Sequence, residues 1–237
     1  KRHGAPSWKE LQQQGFLPEA VVNFLALIGW SYDDKTELFT QKELISSFSL
    51  ERVSVSGAIY DAEKLAWMNG VYIRNLSLEE MTRRTLPYME RPEAAGGLPD
   101  TIARPLDVAY TQRVLSLEQE RLRTLGEAAH AVSFFYTENW ELETPLAQKG
   151  MDNEGTRQAL LQAQSLLTGI ENWEHTFLEE RLRELMAELA LKPAQLFGAI
   201  RVAVSGRKAT PPLFQMMEVL GRTRTLERIE RAIASLA

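Results

Sequence analysis

Apolar positions recur at helical spacing along most of this chain. In the segment 18–28 they fall at a period that places them on one face of a helix. Pro18 stands where a first-turn proline belongs, because its missing N–H would be unpaired there anyway. Capping boxes, in which a Ser or Thr and a Glu three residues later satisfy each other's backbone N–H groups, predict further helix starts at Ser7, Thr40 and Ser77.

Glycine and proline predict where these helices end. A helix that begins after Asp61 is expected to end at Asn69-Gly70, and Pro87 is expected to stop or kink the next one. Dense proline and glycine predict a loop over 91–105. Further helices are predicted at 106–125, 156–167, 171–191, 193–204, 213–220 and 225–237, with a loop at 205–212 and one extended piece at 53–55. The predicted fold class is therefore all-α, built from small helical layers.

Composition narrows the chemistry that such a fold could carry. The 237 residues are 44% hydrophobic, enough to bury a core without covalent staples. The sequence has no cysteine, which favours a cytoplasmic location, and no apolar run approaches the roughly 20 residues that span a bilayer. Its three histidines are scattered, and no phosphate loop, dinucleotide-binding glycine motif or nucleophile elbow occurs. The sequence thus predicts no metal site and no self-contained catalytic site.

Charge is unevenly distributed along the chain. The net charge is −5, yet from Ala199 to the end seven basic residues stand against three glutamates. A basic end on an acidic protein is a candidate phosphate-facing surface, and the alternative is a solvated helix face. The acidic pairs Glu79-Glu80 and Glu179-Glu180 are interpreted as solvated ion pairs with nearby arginines. The basic residues of the end are Arg201, Arg207, Lys208, Arg222, Arg224, Arg228 and Arg231.

Three stretches together resemble bacterial glutamyl-tRNA synthetases. Lys1-Arg2-His3-Gly4 is similar to the tail of that family's K-L-S-K-R-H-G version of the class I lysine motif. The run GFLPEAVVNFLALIGWS over Gly15–Ser31 is highly specific for the family. Phe39–Arg74 resembles the family's run that ends in F-D-x-x-K-L-x-W-x-N-x-x-Y-I-R, with Tyr60 in the phenylalanine position. A weaker match lies at Thr210–Phe214.

The resemblance implies part of a cytoplasmic, monomeric tRNA ligase without membrane contact. The whole enzyme is expected to use ATP with Mg, glutamate and tRNA(Glu). Lys1 and Arg2 are then what remains of the ATP-binding lysine motif, and the catalytic half is expected to precede Lys1. The chain itself is expected to hold no cofactor and to be inactive alone.

The resemblance also implies three domains. Residues 1–76 are expected to be helices that contact the tRNA stem. Residues 77–142 and 143–237 are expected to be two helical anticodon-binding subdomains. The stem contacts are assigned to Lys64, Trp67, Tyr72 and Arg74. For Trp30 and Trp67 the alternative is burial in the core, since both follow helical spacing.

Two places supply the arginines and apolar surfaces that reading splayed anticodon bases requires. Arg121 aligns with an arginine that inspects an anticodon base in many relatives, although a shift in register would replace it by Arg123. The alternative for Arg121 is an ordinary surface arginine on a helix. The second place joins Arg201 to a loop, with Thr210, Pro211, Leu213 and Phe214.

Two other functions compete with this prediction. The first is a relaxed enzyme that also charges tRNA(Gln). The second is a helical protein-interaction scaffold without RNA affinity, which would need a broad exposed apolar patch. The sequence offers no obvious patch of this kind.

Overall fold

A computed structural model describes residues 5–54, 60–138 and 141–236. These residues divide into two compact units, Lys1–His130 and Ala131–Ala237. Apart from one isolated antiparallel bridge between Trp30 and Val53, the secondary structure of the described residues is helical, so the all-α prediction is confirmed. No helix among the described residues is long and apolar enough to cross a membrane.

In its described residues the first unit holds six helices and the start of a seventh. Helix α2 packs on α4 and α5 packs on α6, while the 3₁₀ turn Leu125–Glu127 contacts α1 and α5. The main core includes Leu11, Phe16, Val21, Phe24, Leu65 and Met68, and a smaller one includes Trp30, Phe39 and Leu44. The helices are α1 (Trp8–Gln14), α2 (Pro18–Ala26), α3 (Gln41–Ser47), α4 (Ala62–Arg74), α5 (Leu78–Glu90), α6 (Val108–Ser116) and α7 (Ala128–Val132).

Five helices lie in the described part of the second unit, and the longest has 16 residues. Helices α8, α10 and α12 pack on one another, and α9 packs on α8 and α11. Fully buried Leu160, Leu178, Ile200 and Ile229 contribute to its interior. The helices are α8 (Asn153–Thr168), α9 (His175–Glu188), α10 (Pro193–Ser205), α11 (Leu213–Leu220) and α12 (Arg222–Ala234). The predicted helix 213–220 is confirmed at both ends. The predicted helix 193–204 is also found, and it extends one residue further, to Ser205.

Local capping explains several helix starts. The boxes at Ser7 and Thr40 are complete, with both reciprocal hydrogen bonds present. The box at Ser77 is only half formed. The Glu80 N–H donates to Ser77 Oγ, but the Glu80 carboxylate turns to Arg83 and Arg84 instead. A charged partner on the same helix face competes with the cap for that carboxylate.

Three predicted helix ends differ most from the structure, while the helices predicted to end at 191 and 237 end three residues earlier, at Glu188 and Ala234. Helix α4 continues through Asn69-Gly70 to Arg74, and α5 contains Pro87 in its interior. The helix predicted over 106–125 ends at Ser116 and is followed by a turn. In each case tertiary packing overrides the local propensity on which the prediction was based. The extended piece is represented by Val53 in the isolated bridge, and Val55 lies outside the described residues.

Candidate nucleic-acid interface

Arg121 lies in the turn that follows α6. The Arg121 and Leu122 N–H groups both donate to the Glu118 carbonyl, at 2.8 and 3.1 Å. The Arg121 side chain is 44% exposed, and its Nε lies 3.1 Å from Glu118 Oε2. Glu118 itself is buried. The alternative that placed Arg121 on a surface helix is therefore wrong about the secondary structure, because this exposed arginine projects from a turn.

The turn is fastened to α4 on both sides of Arg121. The Gln119 side-chain amide donates to the carbonyl oxygens of Ile73, at 3.0 Å, and of Leu76, at 2.9 Å. The Asn69 amide donates to the Arg123 carbonyl at 2.6 Å, while its Oδ1 accepts from the Leu17 N–H. A Cβ on Gly70 would lie 3.3 Å from the Leu122 carbonyl oxygen, so glycine permits the close approach. These contacts hold the backbone of the turn that carries Arg121 in one position.

Sequence reasoning missed this support. Asn69-Gly70 was interpreted as a helix end, whereas the pair lies inside α4 and contacts the turn. Asn69 is fully buried, and a buried amide needs partners for its donors and its acceptor. The available signal was a polar residue next to a glycine on the apolar side of a helix.

Arg123 has a different environment from Arg121. Its Nη2 lies 2.9 Å from Glu63 Oε2, and the Glu63 side chain is 80% exposed. Arg123 also lines an open cleft of about 930 Å³ within the first unit, together with Glu10, Gln13, Arg91 and Glu127. Arg121 is thus paired with a buried carboxylate, whereas Arg123 is paired with an exposed one. Which of them contacts RNA stays a prediction.

The predicted stem contacts differ in what they can present to a ligand. Lys64 pairs with Glu37, and the Tyr72 hydroxyl lies 2.5 Å from the Phe39 carbonyl oxygen and 2.6 Å from Asn23 Oδ1. Burial raises the pKa of the Tyr72 hydroxyl. These contacts fasten the segment around Phe39 to α2 and α4.

The two tryptophans behave differently from each other. Trp30 is 3% exposed and belongs to the smaller core, as expected from its helical spacing. Trp67 is 44% exposed, so the core alternative was wrong for this residue. An exposed indole on α4 has a surface available for stacking. Arg74, at the end of the same helix, is half-buried.

Arg201 and its loop are directed inward. Arg201 Nη1 donates to the Pro211 carbonyl oxygen at 2.7 Å and to the Thr210 hydroxyl. Phe214 packs edge-on against Phe197, with ring centroids 5.3 Å apart. Among the residues predicted to meet RNA here, Thr210, Pro211, Leu213 and Phe214 are all buried. An RNA-binding role for these side chains stays a prediction, and it would require the loop to open.

The four arginines of the basic C-terminal helix α12 all donate to backbone carbonyls, but only Arg228 is buried. Arg228 is 2% exposed and donates to the carbonyl oxygens of Val204, Phe134 and Thr137 at 2.6–2.7 Å. Neither the phosphate-facing nor the solvated-face interpretation holds for Arg228. The other arginines of α12 each donate to one backbone carbonyl: Arg222 to Thr168, Arg224 to Phe135 and Arg231 to Glu138.

One glutamate of each acidic pair forms an ion pair with a nearby arginine, as predicted from sequence. Glu80 accepts from Arg83 and Arg84, and these guanidinium groups lower the pKa of its carboxyl from 4.5 to about 2. Glu179 pairs with Arg183 one turn away. Within 5–54, 60–138 and 141–236, no group of three or more acidic or histidine side chains could hold a metal ion. Lys1 and Arg2 lie outside the described residues.

An apolar groove of about 470 Å³ also opens on the first unit. Its walls include Pro6, Trp8, Val22, Leu25 and Tyr60. Trp8, Val22 and Leu25 are each about half exposed. The sequence did not reveal this exposed apolar groove, because these residues come from two helices and converge only in the fold.

Comparison with known families now defines the class of protein. Residues 80–233 match the family described as the anticodon binding domain, and that match covers more than half of the chain. The chain therefore belongs to the anticodon-binding domain family. Residues 1–67 match a second family, the catalytic domain of class I tRNA synthetases of the E and Q type.

Within that class, the similar curated proteins are glutamate–tRNA ligases. The chain is 47% identical to the ligase of Dehalococcoides mccartyi over 240 residues, which covers 100% of this chain and 48% of that protein. It is 44% identical to the ligase of Roseiflexus castenholzii over 226 residues, 95% of this chain and 44% of that protein. The resemblance to glutamyl-tRNA synthetases is confirmed, and the chain spans about half the length of these relatives.

The fold has a counterpart among solved structures. A crystal structure of a glutamate tRNA ligase from Elizabethkingia meningosepticum, in complex with its amino acid, aligns with a TM-score of 0.79. The sequences are 23% identical, and the alignment covers 96% of this chain and 43% of that one. At this identity the likeness supports the fold alone.

Proposed function

We propose that this chain is the tRNA-binding part of a glutamate–tRNA ligase. The observation that carries the proposal is the anticodon-binding match over 80–233. The 40–47% identity to glutamate–tRNA ligases along the chain supports tRNA(Glu) as the partner. In this proposal residues 1–76 contact the tRNA stem, and residues 77–142 and 143–237 form the anticodon-binding region.

Arg121 is the residue that we assign to base reading. It is half exposed on a turn that is fastened to α4, so a base can approach it without rearrangement of the backbone. Arginine donates hydrogen bonds but cannot accept them, and cytosine presents O2 and N3 as acceptors on its unpaired edge. The third anticodon base is C for glutamate and G for glutamine. We therefore propose a discriminating enzyme, with a relaxed enzyme as the alternative.

The chemistry of ligation belongs to the whole enzyme in this proposal. ATP with Mg and glutamate would bind to the catalytic half, with Lys1 and Arg2 contributing to the ATP site. The whole enzyme is proposed to be a cytoplasmic monomer. The chain alone is proposed to bind tRNA without forming glutamyl-adenylate.

Filter binding of the chain to tRNA(Glu) and tRNA(Gln) at two salt concentrations tests the proposal. Phosphate contacts release counterions, so about four contacts would weaken binding roughly 100-fold between about 50 and about 200 mM salt. A preference for tRNA(Glu) is expected. Equal binding of both tRNAs would instead indicate the relaxed enzyme.

The apolar groove at Trp8 favours a second candidate, a protein-interaction module. Such a module would not bind either tRNA in a salt-dependent way, because apolar association is not driven by counterion release. Absence of salt-sensitive tRNA binding would therefore overturn the proposed function. Trp8→Ala is the matched control, since it alters the groove and leaves Arg121 intact.

A further inference from the structure

Glu118 is a buried acidic residue next to the proposed base reader. Its side chain is 5% exposed, whereas the Arg121 side chain, three residues later, is 44% exposed. A carboxylate that leaves water needs a charged or hydrogen-bonding partner to offset its lost hydration. The Arg121 guanidinium supplies a charge-assisted contact of 3.1 Å through Nε.

The atom that Glu118 contacts matters for direction. Nε is the inner nitrogen of the guanidinium group, next to the side-chain methylenes. Because the guanidinium is planar, a partner held at Nε restricts the direction in which the whole group points. An arginine without such a partner samples many rotamers and loses that freedom only when a ligand binds.

The backbone beneath the pair is fixed as well. Gln119 fastens one side of the turn to the end of α4, and the Arg123 carbonyl on the other side is held by Asn69. The Glu118 carbonyl accepts from the Arg121 and Leu122 N–H groups, which closes the turn directly beneath the side-chain pair. Glu118 therefore acts from a rigid position.

We propose that Glu118 is a positioning residue for the proposed base reader. It holds the Arg121 guanidinium in the orientation that meets the third anticodon base, so that this order is present before RNA binds. The inference rests on the proposed function, since it requires Arg121 to contact RNA. Glu118 itself touches no base in this arrangement.

The neighbouring pair provides a matched control. Arg123 is also held by a carboxylate, Glu63, at 2.9 Å, but the Glu63 side chain is 80% exposed. An exposed carboxylate on a long side chain restrains its partner weakly, because both groups exchange freely with water. Glu63→Gln removes the same charge from the adjacent arginine without disturbing a buried site.

A double-mutant cycle with hairpin RNAs tests the proposal. The 237-residue chain and its variants Glu118→Gln, Arg121→Gln and the double variant are titrated with two anticodon hairpins that differ only in the third base, C or G. Glu118→Gln is expected to lower the C-over-G preference about 2- to 10-fold, the range for ordering one side chain. In the Arg121→Gln background the same change should have no further effect, because no guanidinium remains to be positioned. Glu63→Gln should leave the preference unchanged.

The outcomes separate the two proposals. If Arg121→Gln removes the preference while Glu118→Gln leaves it intact in a folded protein, Glu118 is not a positioning residue. If the unaltered chain shows no preference or no binding, the proposed function fails instead. Circular dichroism melting checks that Glu118→Gln folds. Should it unfold, Glu118→Asp keeps the charge but draws it back by one methylene, and an unchanged preference in that variant would overturn the proposal.

Discussion

Arg121 in the first unit and Arg228 in the second are both held by the protein, but by different kinds of acceptor. The described ion pair of Arg121 is with the Glu118 carboxylate, and its side chain stays 44% exposed. Arg228 donates to three backbone carbonyls and is 2% exposed. Arg201 follows the second pattern with Thr210 and Pro211. The first arrangement orients a surface group, and the second joins segments of the fold.

The acceptor also decides what becomes of the charge. A carboxylate balances the guanidinium charge, so Arg121 contributes direction more than long-range attraction. Carbonyl oxygens are neutral, so the arginines along α12 keep their positive charge while their donors serve the fold. Such charges still attract phosphates at a distance. Arg228 can thus contribute to a favourable field without offering its N–H groups to RNA.

The largest expected effect comes from Arg228. Arg228→Gln would remove the guanidinium that donates to the buried carbonyl oxygens of Val204 and Phe134 and to the part-buried carbonyl oxygen of Thr137. Each such loss costs about 1–3 kcal/mol, so we expect the free energy of unfolding to fall by at least about 3 kcal/mol in total. Urea unfolding of the chain, followed by circular dichroism, measures this change.

Arg222→Gln is the control for that prediction. Arg222 is exposed and donates to one carbonyl, that of Thr168, so its loss should change stability by about 0.5 kcal/mol or less. A similar small effect for both substitutions would show that burial of Arg228 does not matter. The arrangement of Arg228 would then not stabilise the fold more than that of an exposed arginine.

A middle-sized effect is expected for base reading by Arg121. Arg121→Gln should narrow the preference for a C over a G at the third anticodon position by about 1–3 kcal/mol, the size of one good base contact. Stability is expected to fall as well, because the buried Glu118 carboxylate would lose its described ion-pair partner. Hairpin titration and thermal melting give the two quantities separately.

Two matched substitutions locate the reader. Arg123→Gln should leave the C-over-G preference intact, and so should Arg201→Gln, which instead should lower the melting temperature through its lost contact with Pro211. If Arg123→Gln removed the C-over-G preference, the base-reading residue would be Arg123 and not Arg121. Equal weakening of both hairpins by Arg121→Gln would make Arg121 a phosphate contact.

Much of the fold could be predicted from sequence because its causes are local. The capping boxes at Ser7 and Thr40 and the helix 213–220 depend on neighbours within a few residues. The end of α6 at Ser116 does not depend on near neighbours in sequence. It depends on contacts of Gln119 with residues more than forty positions away, which hydrophobic periodicity does not reveal.

The site was predictable only in part for the same reason. Arg121 could be singled out by resemblance. The sequence shows Glu118 only as an acidic residue three positions earlier, and it does not show that Glu118 is buried and pairs with Arg121. The inward direction of Arg228 could not be predicted, since its carbonyl partners lie on segments distant in sequence. Charge counting along a chain gives the net charge of a segment and not the direction of its side chains.

The smallest expected effect is a difference in how stability depends on pH. It distinguishes arginines that contact a carboxylate from arginines that contact backbone carbonyls. Contacts with Arg83 and Arg84 lower the pKa of the Glu80 carboxyl from 4.5 to about 2. A carboxyl whose pKa is lower in the folded state stabilises the fold above its unfolded pKa and loses that contribution as pH falls through the folded one. The stability difference between the unaltered chain and Glu80→Gln should therefore be constant above about pH 5 and vanish towards about pH 2.

Arg228→Gln provides the contrast for this measurement. Its described acceptors are carbonyls, which do not titrate, so its stability deficit should persist over the acidic range in which the Glu80→Gln deficit disappears. Urea midpoints of the three proteins between about pH 2 and about pH 6 give both differences. A Glu80→Gln deficit that stays constant with pH would mean that the carboxylate charge does not stabilise α5. The effect of that glutamate would then come from packing, and the distinction between the two kinds of acceptor would not extend to this helix.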